Sequence, residues 1–228
     1  MPELHVLRVF VNEDGEWGNP LGVFLEGSAV PESARERVAA ELGFSETVFV
    51  DDPLQGEIRI HTPAVELPFA GHPTVGTAWL LGRLGRPVEA LKPPAGEVPV
   101  RSGDGIWWID ARPEWAPPFE YRQLATPAEV RALAALPAGA GNLYAWAWID
   151  EAAGTVRARS FVPDAGVAED EATGSAALVL SARLGRPLAV HQGHGSLLLT
   201  RPTANGRAEV GGHVHLDEVR DWPLPPAP

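Results

Sequence analysis

Apolar and polar side chains alternate along residues 4–11, which predicts a strand at the start of the chain. Similar short runs, rich in β-branched or aromatic residues and bounded by Gly, Pro or Asp, fall at 21–25, 47–50, 57–61, 97–101 and 106–110. The second half offers 142–149, 155–161, 196–201 and 207–216. Turns are expected at Asp14-Gly15, Asp104-Gly105 and Asn205-Gly206, the last two as two-residue hairpin loops. Four segments read as helices. Residues 31–42 are amphipathic, with Arg35, Glu36 and Glu41 on the side open to solvent. Thr126 and Glu129 form a capping box around Pro127, opening a helix expected to run to about Leu136. Both are expected on the outside of the molecule. Residues 73–81 and 174–184 differ, because they carry almost no charge before their last turn, and helices apolar on every side belong in an interior.

Those two apolar helices belong to a repeat. Arg59 and Pro63 recur as Arg159 and Pro163, and the run RLGRP at 83–87 recurs at 183–187 without a gap. Between these landmarks the copies diverge: FAGHPT at 69–74 opens the first helix and EDEATGS at 169–175 opens the second. The pattern predicts an α+β fold of two pseudo-repeated lobes, each a curved, barrel-like sheet around a central buried helix. The Pro- and Trp-rich segment 112–118 is the best linker, which puts the lobes at 1–113 and 114–228, with the C-terminal tail free to pack back on the first. A site between the lobes would draw different reagents from each.

Composition narrows the chemistry. With 228 residues and 45% hydrophobic content the chain can bury a substantial core. The net charge of −12 argues against nucleic-acid binding, which needs clustered Lys and Arg. There are no cysteines, so thiolate nucleophiles, disulfides and cysteine-held metals are excluded. The N-terminal segment lacks the apolar core of a signal peptide, and no apolar run reaches the roughly 18 residues of a membrane span, so a cytoplasmic protein without a membrane partner is expected. His191–Ser196 carries glycines but neither a Walker lysine nor the G-x-G-x-x-G spacing, and reads as a glycine-rich turn. His213 and His215 share a strand face without a carboxylate-rich partner motif, so no metal site is expected.

Six short motifs occur in order. They are NPLGV from Asn19, SETVFV from Ser45, Thr62-Pro63, AGHPT from Ala70, EDEATGSA from Glu169 and Gln192-Gly193. Together, over roughly residues 4–216, they resemble the phenazine-biosynthesis PhzF-like family of isomerases, related in fold to diaminopimelate epimerase. The resemblance implies two similar lobes, cofactor-free proton transfer in the cleft between them, and a homodimer. It makes Glu46 of the S-E-T motif the main general acid/base. Alone, Glu46 reads equally as a solvated carboxylate at the start of a strand, although desolvation there would raise its pKa towards neutrality. His72 alone is a turn histidine. Yet Gly71 admits a ligand to the backbone, Pro73 suits a first helical turn, and the free amides favour an anion. Asp170 alone is an ordinary helix-start acid; the resemblance places it in the active site, where it and His72 would assist proton relay and orient substrate. Gly174 and Ser175 are then expected to hold a substrate carboxylate, with Asn19, Gly71 and Gly193 lining the cleft.

The reading that follows is an isomerase without cofactor or metal, abstracting and returning a proton on a small carboxylate-bearing metabolite through an enolate-type shift. Its competitor is a non-catalytic small-molecule-binding or regulatory protein that keeps the fold. The related epimerases use a thiol from each lobe, and that two-thiol chemistry is closed to a chain without cysteine.

Overall fold

The opening alternation forms strand β1 (Glu3–Val11), followed by β2 (Asn19–Phe24), helix α1 (Glu32–Leu42), β3 (Glu46–Asp52), β4 (Glu57–His61), β5 (Glu66–Leu67) and helix α2 (Gly71–Arg83). Next come β6 (Ala90–Leu91), β7 (Val98–Gly103), β8 (Ile106–Ala111), β9 (Glu120–Gln123) and the short helix α3 (Pro127–Ala132). The chain continues through β10 (Leu143–Asp150), β11 (Thr155–Val162), β12 (Val167–Asp170), helix α4 (Gly174–Leu184), β13 (Leu188–Gln192), β14 (Ser196–Pro202) and β15 (Ala208–Asp221). This computed structural model describes residues 1–137, 139–163 and 167–224.

The strands join into one large curved sheet in an α+β fold, in the order β5-β4-β3-β2-β1-β15-β14-β13-β11-β10-β9, with β8 also on β15. Strand β15 makes this continuity possible. Its residues 208–212 pair with β8 and β14, and 213–221 pair with β1. Helix α2 packs against β1, β2, β3, β8 and β15, and α4 against β14 and β15. Both helices are buried over nearly all of their first two turns, which is why their sequences carry no polar face.

The repeat is structural. An antiparallel strand pair precedes each buried helix, β4 with β5 and β11 with β12. Arg59 reaches Glu66 at 3.1 Å, and Arg159 grips both oxygens of Glu169 at 2.7 and 2.6 Å. RLGRP is a helix stop. Gly85 and Gly185 take φ of +70° and +65°, and the amides of Arg86 and Arg186 donate back to the carbonyls of Leu81 and Ser181. The following proline prevents continuation.

Close packing of α2 depends on Gly76. A Cβ there would stand 2.5 Å from Leu21 Cδ2 and 2.7 Å from Val9 Cγ2. Gly76→Ala is therefore expected to cost about 1–3 kcal/mol by overpacking, read as a lower urea midpoint with unchanged slope. An unshifted midpoint would mean that the sheet yields freely at this point.

Several sequence expectations change. The helix after Thr126 stops at Ala132 rather than near Leu136. The Arg159 guanidinium takes the carbonyls of Arg131 and Leu133 at 3.1 and 2.6 Å, while Leu133 and Leu136 pack on Leu143, Ala145 and Phe161. Arg35 is buried rather than solvated, bonded to Asp51 and to the carbonyls of Gly27 and Val30. The short strands β5, β6, β9, β12 and β13 carry too little alternation to stand out, and they exist because neighbours pair with them. Asp104-Gly105 forms the expected two-residue hairpin loop between β7 and β8, whereas Asn205-Gly206 lies in a longer connection, residues 203–207, between β14 and β15; all four of these residues have positive φ.

One irregularity prepares the site. The register of β1 on β15 slips at Phe10, since Val9 faces Val214 and Val11 faces His213. Phe10 has φ of +68°, uncommon for a bulky residue, and its ring is fully buried. The bulge turns that ring under α4, 3.2 Å from where a Cβ on Gly174 would stand.

Candidate active site

Strands β2 and β3 run parallel with Leu21 opposite Glu46, so their N-terminal ends share one edge of the sheet. Asn19 and Glu46 both open their strands there. Against this edge the starts of α2 and α4 meet. A Cβ on Gly71 would lie 3.0 Å from Gly174 Cα and from the Ser175 amide nitrogen, so only paired glycines let the two backbones approach this closely. Neither helix has an acidic residue in its first turn or a side-chain cap. Two positive helix ends with uncapped amides therefore converge, and Ser175 is buried between them.

The side chains at this junction are titratable and enclosed. His72 Nε2 stands 3.5 Å from Glu46 Oε2, with the two side chains only 4% and 16% exposed. Neither atom has a hydrogen-bond partner among the described residues. Burial lifts the Glu46 carboxyl to about 7, with the neighbouring Ser45 hydroxyl working weakly the other way. Burial also drives the His72 imidazole well below its ordinary value, with the Asp170 charge and the Pro20 carbonyl working the other way. Around neutrality Glu46 is thus poised between its protonated and charged forms, while His72 is neutral.

Asp170 ends β12, just before α4, and is held from both sides. Its Oδ1 accepts from Asn19 Nδ2 at 2.7 Å and its Oδ2 from Thr173 Oγ1 at 2.6 Å. Burial and the Glu46 charge raise its pKa, while His72 and the two hydrogen bonds oppose the rise. Asn19 ties the halves together, since its Nδ2 also lies 3.3 Å from the Ala172 carbonyl and 3.5 Å from His72 Nδ1. Behind Asp170, Gln192 Nε2 donates to the Asp170 carbonyl and to Thr173 Oγ1, and Tyr144 donates to Gln192 Oε1.

The fold therefore brings together Asn19, Glu46, Gly71, His72, Asp170, Gly174 and Ser175, from five elements. Gly193 is placed differently, in the turn between β13 and β14, where a side chain would run into the Glu171 carboxylate. That turn gives Glu171 the amides of His194 and Gly195 and the hydroxyl of Ser196, at 2.9, 3.3 and 2.8 Å. Its glycines serve a carboxylate of the same chain. Sequence reasoning missed Thr173, Gln192 and Tyr144. Gln192 is adjacent to Gly193 in the same motif, and Thr173 lies inside the EDEATGS run, but nothing local marks Tyr144.

Known proteins resemble this chain in sequence and in fold. A family model for phenazine biosynthesis-like proteins matches residues 8–116. The trans-2,3-dihydro-3-hydroxyanthranilate isomerase of Pseudomonas aeruginosa is 33% identical over an alignment that covers 79% of each chain. The enzyme of the same name from Pseudomonas fluorescens matches more locally, at 48% identity over 68 residues spanning 24% of its length. Among solved structures, a predicted epimerase from Pseudomonas aeruginosa superposes with a TM-score of 0.77 at 25% identity, covering 97% of this chain and 99% of that one. With one-third identity sustained over four-fifths of both sequences, on the same fold, the protein belongs to the phenazine biosynthesis-like family of isomerases.

Proposed function

We propose that the protein is a cofactor-independent isomerase that moves a proton between carbons of a small carboxylate-bearing metabolite. The observation that carries this reading is the buried, mutually facing pair of Glu46 Oε2 and His72 Nε2, each without another hydrogen-bond partner among the described residues. Buried polar atoms left open are costly unless a ligand or a mobile proton completes them. A carboxyl group near pKa 7 can both accept and return a proton at neutral pH.

In this mechanism the substrate carboxylate lies on the uncapped amides at Gly174 and Ser175 and against Gly71. Glu46 removes a proton from the adjoining carbon. The C–H bond electrons delocalise into the conjugated acid as an enolate-type anion, stabilised by the two helix ends. Protonated Glu46 then delivers its proton to another carbon of that anion, so atoms and charge balance within the substrate. His72 stays neutral and faces Glu46 in either state, while Asp170 fixes Asn19 and the helix start. No electron leaves the substrate, so the reading calls for no redox cofactor.

The curated relatives are named for trans-2,3-dihydro-3-hydroxyanthranilate, which makes that compound the first substrate to test. Turnover in deuterated water, followed by proton NMR, is expected to place deuterium on carbon in the product. Full turnover with no deuterium on carbon would remove an exchangeable Glu46 carboxyl from the mechanism.

A further inference from the structure

We infer that Tyr144 and Gln192 are positioning residues that fix the direction of the hydrogen bonds at Asp170, so that Asp170 remains an acceptor and Glu46 alone carries the mobile proton. The inference deepens the isomerase reading above and rests on it for its catalytic meaning.

The argument is one of donor and acceptor identity. The Asp170 main-chain carbonyl can only accept, and a Gln192 side-chain atom sits 3.0 Å from it. That atom must be the amide nitrogen, Nε2. The Gln192 oxygen then faces Tyr144 Oη at 3.0 Å, and the phenol must donate to it. Burial pushes the Tyr144 pKa well above its ordinary value, so the phenol keeps its hydrogen. The second Nε2 hydrogen points at Thr173 Oγ1, 2.9 Å away. With that oxygen accepting, the hydroxyl hydrogen of Thr173 is directed to Asp170 Oδ2 at 2.6 Å. The other carboxylate oxygen receives a hydrogen from Asn19. Tyr144 and Gln192 are fully buried and Thr173 nearly so, which keeps bulk solvent from reversing the chain.

Two carboxyl groups close enough to influence each other cannot both ionise freely. Here the environments separate them. Asp170 accepts a hydrogen on each oxygen, which favours its charged form, whereas Glu46 Oε2 has no hydrogen-bond partner among the described residues. The proton therefore resides on Glu46, beside His72. A chain whose first link joins Tyr144 to Gln192, 48 residues apart in sequence, thereby selects which acid performs the chemistry.

The test reads Asp170 directly, without substrate. Carboxyl carbon-13 titration of the unliganded protein is expected to show the Asp170 pKa raised by about half a pH unit to one unit in Tyr144→Phe. Thr173→Val should raise it at least as far, and Thr173→Ser should keep the wild-type titration. Adding Tyr144→Phe to Thr173→Val should shift it no further, because the effect travels through the Thr173 hydroxyl. Thr173→Ala replaces valine as the background if the valine variant does not fold. In turnover, the acidic limb of kcat/KM belongs to Glu46, so Tyr144→Phe should leave its position unchanged while the Asp170 titration moves, with KM changed less than about twofold. An equal shift in both backgrounds, or no shift in a Tyr144→Phe protein of wild-type thermal stability, overturns the inference. If the titrations follow expectation but no carboxylic acid is isomerised, the positioning chain stands and the isomerase reading falls.

Discussion

Glu46→Gln is expected to lower kcat by about 10²- to 10⁴-fold, the usual range for loss of a general acid/base, while making the protein more stable above neutral pH. Both effects have one cause. The Glu46 carboxyl titrates near 7 in the folded chain against 4.5 for an unperturbed glutamate. Between those values the folded protein holds a proton that the unfolded chain has released. Stability therefore falls as pH rises from about 4.5 through 7, and the loss is complete above the folded value. A shift of this size corresponds to about 3 kcal/mol. Glutamine cannot titrate and escapes the loss. Urea unfolding at pH 8 should place the variant well above the wild type, and the two should converge as the pH approaches 4.5. Parallel stability-against-pH curves would show that Glu46 does not carry the buried charge. Retained turnover would show that it is not the acid/base.

Gly71→Ala is the second substitution with a large expected effect. The new Cβ would press at 3.0 Å on the Gly174 Cα and the Ser175 nitrogen. These are backbone atoms, which cannot rotate aside as a side chain does. The starts of α2 and α4 must move apart, carrying His72 away from Glu46 and opening the amides proposed to hold the substrate carboxylate. We expect kcat/KM to fall by about 10- to 100-fold, since small misplacements of reacting groups are costly. Unfolding free energy should fall by about 1–3 kcal/mol from overpacking. Gly85→Ala is a useful contrast, because open space surrounds Gly85 and only its positive φ is strained. It should destabilise without an equivalent loss of kcat/KM. Equal activity losses in the two variants would mean that Gly71 matters only for folding.

Much of this site was legible because its residues sit at element ends, where sequence signals are strongest. Asn19 precedes a proline, Glu46 follows Ser45 at the start of a strand, and His72 lies between Gly71 and Pro73. The two apolar helices and their RLGRP stops also stood out, since a charge-free turn pattern and a Gly-Arg-Pro ending depend only on neighbours in sequence. Legibility failed where one distant side chain decided the outcome. Arg159 shortens α3 by taking its last carbonyls, and Asp51 draws Arg35 inward. The strand β13, which carries Gln192, depends on β11 and β14 for its pairing.

The repeat shows the same division. At an offset of one hundred, Ala172 corresponds to His72, but the second helix begins only at Gly174, three residues later in the repeat than Gly71. Glu171, Ala172 and Thr173 are therefore non-helical where the first copy has already turned into α2. That short unwound stretch lets Thr173 reach back to Asp170 and Glu171 reach the β13–β14 turn.

The sequence by itself determined the α+β class, the two buried helices, their stops, and which polar residues lie at their starts. These follow from periodicity and from conformational preferences of Gly and Pro, both local properties of a chain. Only the tertiary structure decided which acid holds the proton. Glu46 and Asp170 are ordinary carboxyl groups in sequence. They differ because separate strands and a helix start bury both, while Asn19, Thr173, Gln192 and Tyr144 supply hydrogen-bond donors around Asp170 alone. A pKa is set by the solvent removed and the donors within reach, and neither is written in the spacing of residues along a chain.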